Sequence, residues 1–180
     1  MMAKHPRKQI DIADDTSFWD VRLAVDTLDA PKTIFGFQVR EPDRAKLAER
    51  LKISGFHKIA GEITISILAD KCWQVDFSVG FDVVQPCVVS FKDVSEYVEF
   101  AEQERYIETL VDAEELSGEY LDLEALDRGH IPVGEAIAQL IAVHIPAFPR
   151  SDEADRVMEE KATTGKISPF HKLSELKKPQ

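Results

Sequence analysis

The sequence has few cysteines and no long apolar run, and both shortages exclude classes of protein. Its 180 residues contain only Cys72 and Cys87, which are too few for a disulfide-stabilised scaffold and indicate free thiols in a reducing compartment. No run approaches the roughly 18 apolar residues that a membrane helix requires. Residues 1–11 are partly basic but have no apolar segment behind them, so no secretory signal is expected. We therefore expect a cytoplasmic protein.

Basic residues are outnumbered as well. The chain has 22 Lys and Arg against 33 Asp and Glu, which gives a formal net charge of −11. A surface of this sign repels bare nucleic acid and anionic membranes, because sequence-independent phosphate binding needs clustered Lys and Arg. The hydrophobic content of 44% is nevertheless sufficient for the core of one globular domain.

The clearest structural signal is a strict alternation between Cys72 and Val84. Large apolar residues alternate there with small or polar ones, which predicts a long, half-buried antiparallel strand. Pro86 lacks the N–H that a central ladder uses, so the pattern is expected to break at residues 85–87. The apolar side chains of the strand are Trp73, Val75, Phe77, Val79, Phe81 and Val83.

The remaining patterns indicate a mixed fold. The second helix below has the clearest amphipathic spacing in the chain. Together the patterns predict an α+β domain, with a predominantly antiparallel sheet centred on strand 72–84 and packed by the two helices. The expected elements are strands at 17–25, 33–39 and 56–68 with a bulge or bend at Gly61, helices at 42–51 and 133–143, a strand beginning near 94, either helix or strand at 101–110, and a loop at 111–120.

The chain divides into four segments by composition. We expect a flexible N-terminal arm at 1–15, a single α+β domain at 16–150, a charged linker at 151–165 and a basic tail at 166–180. Phe170 and Leu173 would allow the tail to dock on the domain.

Three separated segments together resemble one known family. They are Gln85-Pro86-Cys87-Val88-Val89-Ser90, the block 122–150 that ends in Ile145-Pro146-Ala147-Phe148-Pro149-Arg150, and the tail segment 168–177. In this order and spacing they resemble the YceD family, the large ribosomal RNA subunit accumulation proteins, in an alpha-proteobacterial form. The resemblance covers the chain from about Trp19 onward. It implies a non-enzymatic factor in large-subunit ribosome biogenesis, with ribosomal proteins or assembly factors as partners.

The resemblance also raises the question of a metal, because many members of the family have paired C-x-x-C motifs. Cys87 occupies the first such position, but Ser90 stands where the second cysteine would be. A second pair would be expected after the helix, yet residues 148–156 contain no cysteine. A structural zinc site uses four Cys or His ligands, so no metal or other cofactor is expected.

Cys87 has two open interpretations. It could act as a nucleophile assisted by His57, His130 or His144, because cysteine chemistry needs a thiolate beside a base. It could instead be a small buried residue where the strand meets its turn, which is common for free cysteine. No nucleotide-binding, zinc-protease or hydrolase motif occurs in the sequence, so no enzyme is expected.

The acid-rich stretch 92–127 also has two interpretations: a solvated surface, or a docking surface for a basic partner, whose encounter the charge would accelerate. The candidate residues for such a partner are Asp93, Glu96, Glu99, Glu102 and Glu104. Lys172, Lys177 and Lys178 of the tail are candidates for contact with preribosomal RNA. A binding module unrelated to ribosomes, with a small ligand between helix and sheet or another protein as its partner, is the alternative function.

Overall fold

The computed structural model describes residues 7–10, 16–69, 71–108 and 123–156. Helical turns lie at Phe18–Asp20 and Val25–Thr27, and residues 152–156 are helical. The strands are β1 (Arg7–Gln9), β2 (Leu23–Ala24), β3 (Lys32–Gln38), β4 (Gly55–Ala69), β5 (Cys72–Pro86), β6 (Asp93–Ile107), β7 (Leu123–Ala125) and β8 (His130–Ile131), and the helices are α1 (Glu41–Leu51) and α2 (Val133–His144).

Six strands form one sheet in the order β1-β3-β4-β5-β6-β7. The four central strands are antiparallel neighbours, whereas the short outer strands β1 and β7 pair in parallel. Strands β2 and β8 form a separate antiparallel pair. The prediction of an α+β fold with a mostly antiparallel sheet is confirmed.

Strand β5 is at the centre of the sheet, and its alternation is the one that the sequence predicts. All six large apolar side chains from Trp73 to Val83 are at most 9% exposed. The strand extends to Pro86, two residues beyond the alternating stretch. Cys87 N–H donates to Lys92 O, so odd-numbered residues of β5 bond to β6. The Pro86 nitrogen therefore points to the β4 side, where pairing begins only at Gly55 and Val84 and no donor is needed.

The irregularities of β4 lie elsewhere than predicted. Its register shifts between Phe56 and Lys58 and again between Ile67 and Ala69, and it runs without a break through Gly61. That glycine is a point of close approach, because a Cβ there would overlap the carbonyl oxygen of Ser78 on β5. Of the predicted bulge or bend at Gly61, the bulge is therefore wrong, and close strand packing explains the glycine.

The predicted strand at residues 17–25 is wrong as well. The segment forms two single helical turns around the two-residue strand β2. Phe18 is fully buried with its ring centroid 5.3 Å from that of Phe37, and the indole N–H of Trp19 donates to the Asp43 carbonyl oxygen over 2.7 Å. The alternating apolar residues are anchors for these tertiary contacts, which local periodicity does not reveal.

The two helices contribute to the same buried cluster as the sheet. Leu47 of α1 and Ile137 and Ile141 of α2 are at most 1% exposed within it. A bidentate ion pair joins the helices, with the Arg50 guanidinium 2.6 and 2.8 Å from the two carboxylate oxygens of Glu135. Among the described helices, none is long and apolar enough to cross a membrane.

The terminal segments are described only in part. Residues 7–9, within the expected N-terminal arm, form β1 and pair with β3. Residues 152–156, within the expected linker, are helical. The rest of the arm and linker, the predicted loop at 111–120 and the tail at 166–180 lie largely or wholly outside the described residues.

Candidate functional site

The end of β5 forms a corner that joins distant parts of the chain. A turn follows Cys87, closed by a hydrogen bond from Phe91 N–H to Cys87 O over 2.9 Å. Val88 N–H donates to Pro149 O over 3.0 Å, and Lys92 Nζ lies 3.5 Å from a carboxylate oxygen of Glu153. Two of the three segments that carry the family resemblance therefore meet at this corner.

The Cys87 sulfur is held by several donors. The N–H groups of Val89 and Ser90 each donate to Sγ over 3.4 Å, and the Ser151 hydroxyl lies 3.9 Å away. Ser90, whose N–H donates to the sulfur, is the main cause that lowers the pKa of the Cys87 thiol to about 6, with smaller contributions from the Ser151 and Val89 backbone, although burial acts in the opposite direction. The side chain is fully buried. Because these donors come from the turn and from Ser151, the Cys87 sulfur connects the turn to residues 149–151.

The residues around Cys87 do not fit a metal. Where the resemblance implies paired cysteines, the structure brings Cys87 together with Ser90 and Ser151, and neutral hydroxyls are not the ligands of a structural zinc site. Cys72 is at the far end of β5, paired with Ile107 rather than near the turn. Among the described residues, no group of three or more His, Cys, Asp or Glu is arranged to hold a metal ion.

Stability against pH is expected to report on Cys87. Its pKa falls from 9.0 to about 6 on folding, so between these values the unfolded chain binds more protons at this thiol. The contribution of the group to the free energy of unfolding should therefore rise from about pH 6 to pH 9. We expect Cys87→Ser to reduce that rise in urea titrations at each pH. Cys72→Ser is the control, because burial raises the pKa of Cys72. Any effect of Cys72 on the pH dependence of stability is therefore expected above pH 9. Equal pH profiles for the wild type and Cys87→Ser would contradict this assignment.

The three histidines considered as bases for Cys87 have other partners. His57 Nε2 lies 3.5 Å from Ser95 Oγ, and His130 Nδ1 lies 2.9 Å from Arg128 O. His144 is the last residue of α2, stacks on Phe100 at 4.2 Å and lies 3.2 Å from Glu102. In the described part of the chain, none of them is among the hydrogen-bond partners of the Cys87 sulfur.

The corner is also where apolar side chains are exposed to solvent. We call Val88, Val89, Phe91 and Phe148 the corner surface. Phe91 is 82% exposed and Phe148 is 75% exposed. Phe91 also has a positive φ of 59°, a conformation that is unusual for a bulky side chain. The large apolar side chains of the corner surface therefore do not contribute to the core of this domain.

The five acidic candidates all lie on β6 but do not share one face. They are divided between the two faces, with Asp93 and Glu99 on the open face of the sheet and the other three on the face that carries the core. Asp93 accepts a hydrogen bond from Ser54 over 2.7 Å, and Glu99 accepts one from Tyr97 over 3.2 Å. The sequence therefore identified the strand on which the acidic candidates lie. The five residues lie on both faces of that strand and do not form a single acidic surface.

The other three acids lie on the core-side face, and two of them, Glu102 and Glu104, are near helix α2. Glu102 faces His144, and Glu104 accepts a hydrogen bond from the Tyr106 hydroxyl over 2.6 Å. Burial and the neighbouring carboxylates of Glu124 and Glu102 raise the pKa of Glu104 despite that hydrogen bond. Glu96 has no ion-pair partner among the described residues. The candidate lysines Lys172, Lys177 and Lys178 lie outside the described residues.

A cleft that the sequence analysis did not predict lies on the open face of the sheet. It has a volume of about 570 Å³. The Tyr97 ring lies across Gly80, since a Cβ there would be 2.5 Å from the tyrosine oxygen. In the sequence, the small side chains on the polar face of β5 were the pattern that could have indicated this cleft. The small residues of the lining are Ala60, Gly61, Ser78, Gly80 and Ala101.

Between helix and sheet, where a small ligand was considered, the space is smaller. A cavity of about 130 Å³ lies between β6, β7 and α2. Its polar lining is mostly acidic, which does not favour an anionic ligand. The polar lining residues are Glu104, Tyr106, Glu124, Glu135 and Gln139.

Comparisons of this chain with protein-family models, with curated proteins and with solved structures return no match.

Proposed function

We propose that the chain is a non-enzymatic factor in large-subunit ribosome biogenesis or ribosomal RNA accumulation. It would act in the cytoplasm by binding ribosomal proteins, assembly factors or preribosomal particles. The observation that carries this proposal is the hydrogen bond from Val88 to Pro149. It joins two segments of the family resemblance, distant in sequence, in one corner.

The physical character of the corner surface supports a binding role. Exposed apolar side chains gathered at one place mark contacts with other molecules, and Phe91 and Phe148 are among the most exposed of the chain's large apolar residues. Aromatic side chains supply large contact areas at protein interfaces. A partner that covers Phe91 and Phe148 would bury apolar surface that is exposed to solvent in this domain.

A deletion strain tests the proposed function. We expect its sucrose gradients to show fewer large subunits than the parent strain, and less large-subunit ribosomal RNA, most clearly during growth in the cold. The full chain supplied in trans should restore both. Unchanged large-subunit levels in the cold would contradict the proposal.

The alternative function, a small-ligand module unrelated to ribosomes, is favoured by one observation. The open-face cleft of about 570 Å³ lies within the range of small-molecule sites. A ligand-dependent rise in melting temperature, combined with affinity purification that returns no ribosomal or assembly protein, would favour this alternative.

The basic tail has a subordinate place in the proposal. Residues 166–180 would either dock on the acidic domain or contact preribosomal RNA through Lys172, Lys177 and Lys178. Both uses are consistent with a local basic segment on a chain of net charge −11.

A further inference from the structure

Among the residues that the structure describes, the outer edge of β6 is unpaired along most of its length. β6 spans residues 93–107, but β7 pairs only with residues 105–107. In the described part of the chain, no strand pairs with residues 93–104 on that side. An unpaired strand edge presents N–H and C=O groups that another chain can use.

The directions of the edge groups follow from hydrogen bonds at both ends of the β5–β6 pair. Cys87 N–H donates to Lys92 O, and Glu108 N–H donates to Lys71 O. Even-numbered residues of β6 therefore bond to β5, and the register is continuous between these ends. At the paired end of the outer edge, Ile107 O accepts a hydrogen bond from Leu126 N–H, as an outward-facing odd residue should. The residues with outward N–H and C=O groups are Asp93, Ser95, Tyr97, Glu99, Ala101 and Gln103.

Of the usual protections against pairing, this edge has acidic side chains but lacks proline, lysine and a bulge. Residues 93–104 contain no proline and no lysine, and their pairing with β5 shows no bulge. Such features, when present, prevent an edge from recruiting another strand. Most side chains of the segment are exposed, and Phe100 is the buried exception. Acidic side chains are the main barrier to self-pairing here, because like charges placed side by side repel.

The charge of the segment selects the partner. Residues 93–104 carry five carboxylates and no basic residue. No Lys or Arg of the described chain forms an ion pair with Asp93, Glu96 or Glu99. Since carboxylates lie on both faces of the strand, an added strand with basic residues would meet them on both sides.

We infer that the outer edge of β6, residues 93–103, binds an extended basic peptide segment of a partner protein as an added β-strand. Main-chain hydrogen bonds supply the affinity in this mode of recognition, and side-chain contacts select the sequence. The inference deepens the proposed function, on which it rests for the ribosomal or assembly origin of the partner. Phe91 of the corner surface lies two residues before β6, so it is placed to contact an apolar residue at one end of the bound segment.

Amide hydrogen exchange of the purified full chain, read residue by residue by NMR, tests this inference. The probe is the synthetic peptide KVKTKVKTKVK at about 1 mM, a concentration suited to weak contacts. We expect the outward N–H groups of Ser95, Tyr97, Glu99 and Ala101 to exchange quickly in the free chain and at least about tenfold more slowly with the peptide. The same peptide with glutamate in place of every lysine should protect none of them.

Two outcomes would overturn the inference. Slow exchange of these four amides in the free chain would show that the edge is already covered, whether by the chain's own tail or by a second copy. Exchange that the basic peptide leaves unchanged would show that the edge does not accept a strand.

Variants separate backbone pairing from general charge attraction. We expect Ser95→Pro, which removes one outward N–H and no hydrogen bond to β5, to weaken peptide binding about tenfold. The double variant Glu96→Lys/Glu99→Lys should weaken it by at least about tenfold. Asp26→Lys/Glu49→Lys is the matched control with the same change in net charge at exposed sites, and we expect less than about a twofold effect. Equal losses in both double variants would reduce the effect to net charge and overturn the inference.

The two proposals fail in different experiments. A deletion strain with normal large subunits, together with peptide protection of the β6 edge, would remove the ribosomal role and keep the edge as a binding site. A large-subunit defect without peptide protection would do the reverse.

Discussion

Replacing Gly134 by alanine is expected to lower the free energy of unfolding by about 2–3 kcal/mol, the cost of forcing extra volume into a packed interior. Gly134 is in the first turn of α2, and a Cβ there would overlap the carbonyl oxygen of Phe18 and lie 2.8 Å from the carbonyl carbon of Trp19. These are backbone atoms, and the hydrogen bond from Gly134 N–H to Val21 O holds the two segments together.

The sign of this effect is opposite to what helix propensity alone predicts. In a helix without neighbours, alanine is more favourable than glycine by about 1 kcal/mol. Here the steric term is larger, because the helix would have to move away from residues 18–21. Urea unfolding followed by circular dichroism measures the balance.

Gly55→Ala is the matched control for Gly134→Ala. A Cβ at Gly55 would have no atom within 4 Å, so we expect a change within about 0.5 kcal/mol. If Gly134→Ala were as stable as the wild type, the close approach of α2 to residues 18–21 would be contradicted.

The double variant Phe91→Asn/Phe148→Ser is expected to reduce association with large-subunit particles at least about tenfold, as the loss of interface aromatic anchors does. Stability should be unchanged or slightly higher, since both rings are mostly exposed and asparagine tolerates the left-handed backbone at residue 91 better than phenylalanine does. Co-sedimentation of the tagged full chain in sucrose gradients measures the association, and urea unfolding measures the stability.

Leu68→Ser is the control for this variant. Leu68 is 47% exposed and lies at the opposite end of the sheet, in the β4–β5 hairpin, so its loss should leave co-sedimentation unchanged. A double variant that sediments like the wild type would show that the corner surface is not the contact.

Secondary structure and core residues are predicted best from the sequence where all the buried residues of an element lie on one face. Strand β5 and helix α2 have regular apolar periods. All six predicted core residues of β5 are buried, and on α2 the apolar spacing leads to the buried Val133, Ala136, Ile137 and Ile141. For residues 101–110, in the second half of β6, the sequence did not distinguish a helix from a strand. The reason is that Glu96, Glu102 and Glu104 lie at core-side positions of β6, where apolar residues would have shown a period of two. Acidic residues are compatible with those positions because Glu96 and Glu102 are exposed and Glu104 is only partly buried.

The candidate site was less predictable because tertiary contacts build it. The sequence singled out Cys87 and the segment at 145–150 separately, but only the fold joins Val88 to Pro149. The donors to the Cys87 sulfur are largely backbone N–H groups, which every residue except proline has and which no motif records. The open edge of β6 depends on which strand is absent beside it, and residue types do not specify that.

The central claim is that this chain binds large-subunit ribosomal proteins or assembly factors. Crosslinking of the tagged full chain in cells, followed by affinity purification and read by both mass spectrometry and RNA sequencing, tests it most directly. The account predicts that large-subunit ribosomal or assembly proteins are recovered from the wild type and depleted from Phe91→Asn/Phe148→Ser. Recovery of no such protein from the wild type would contradict it.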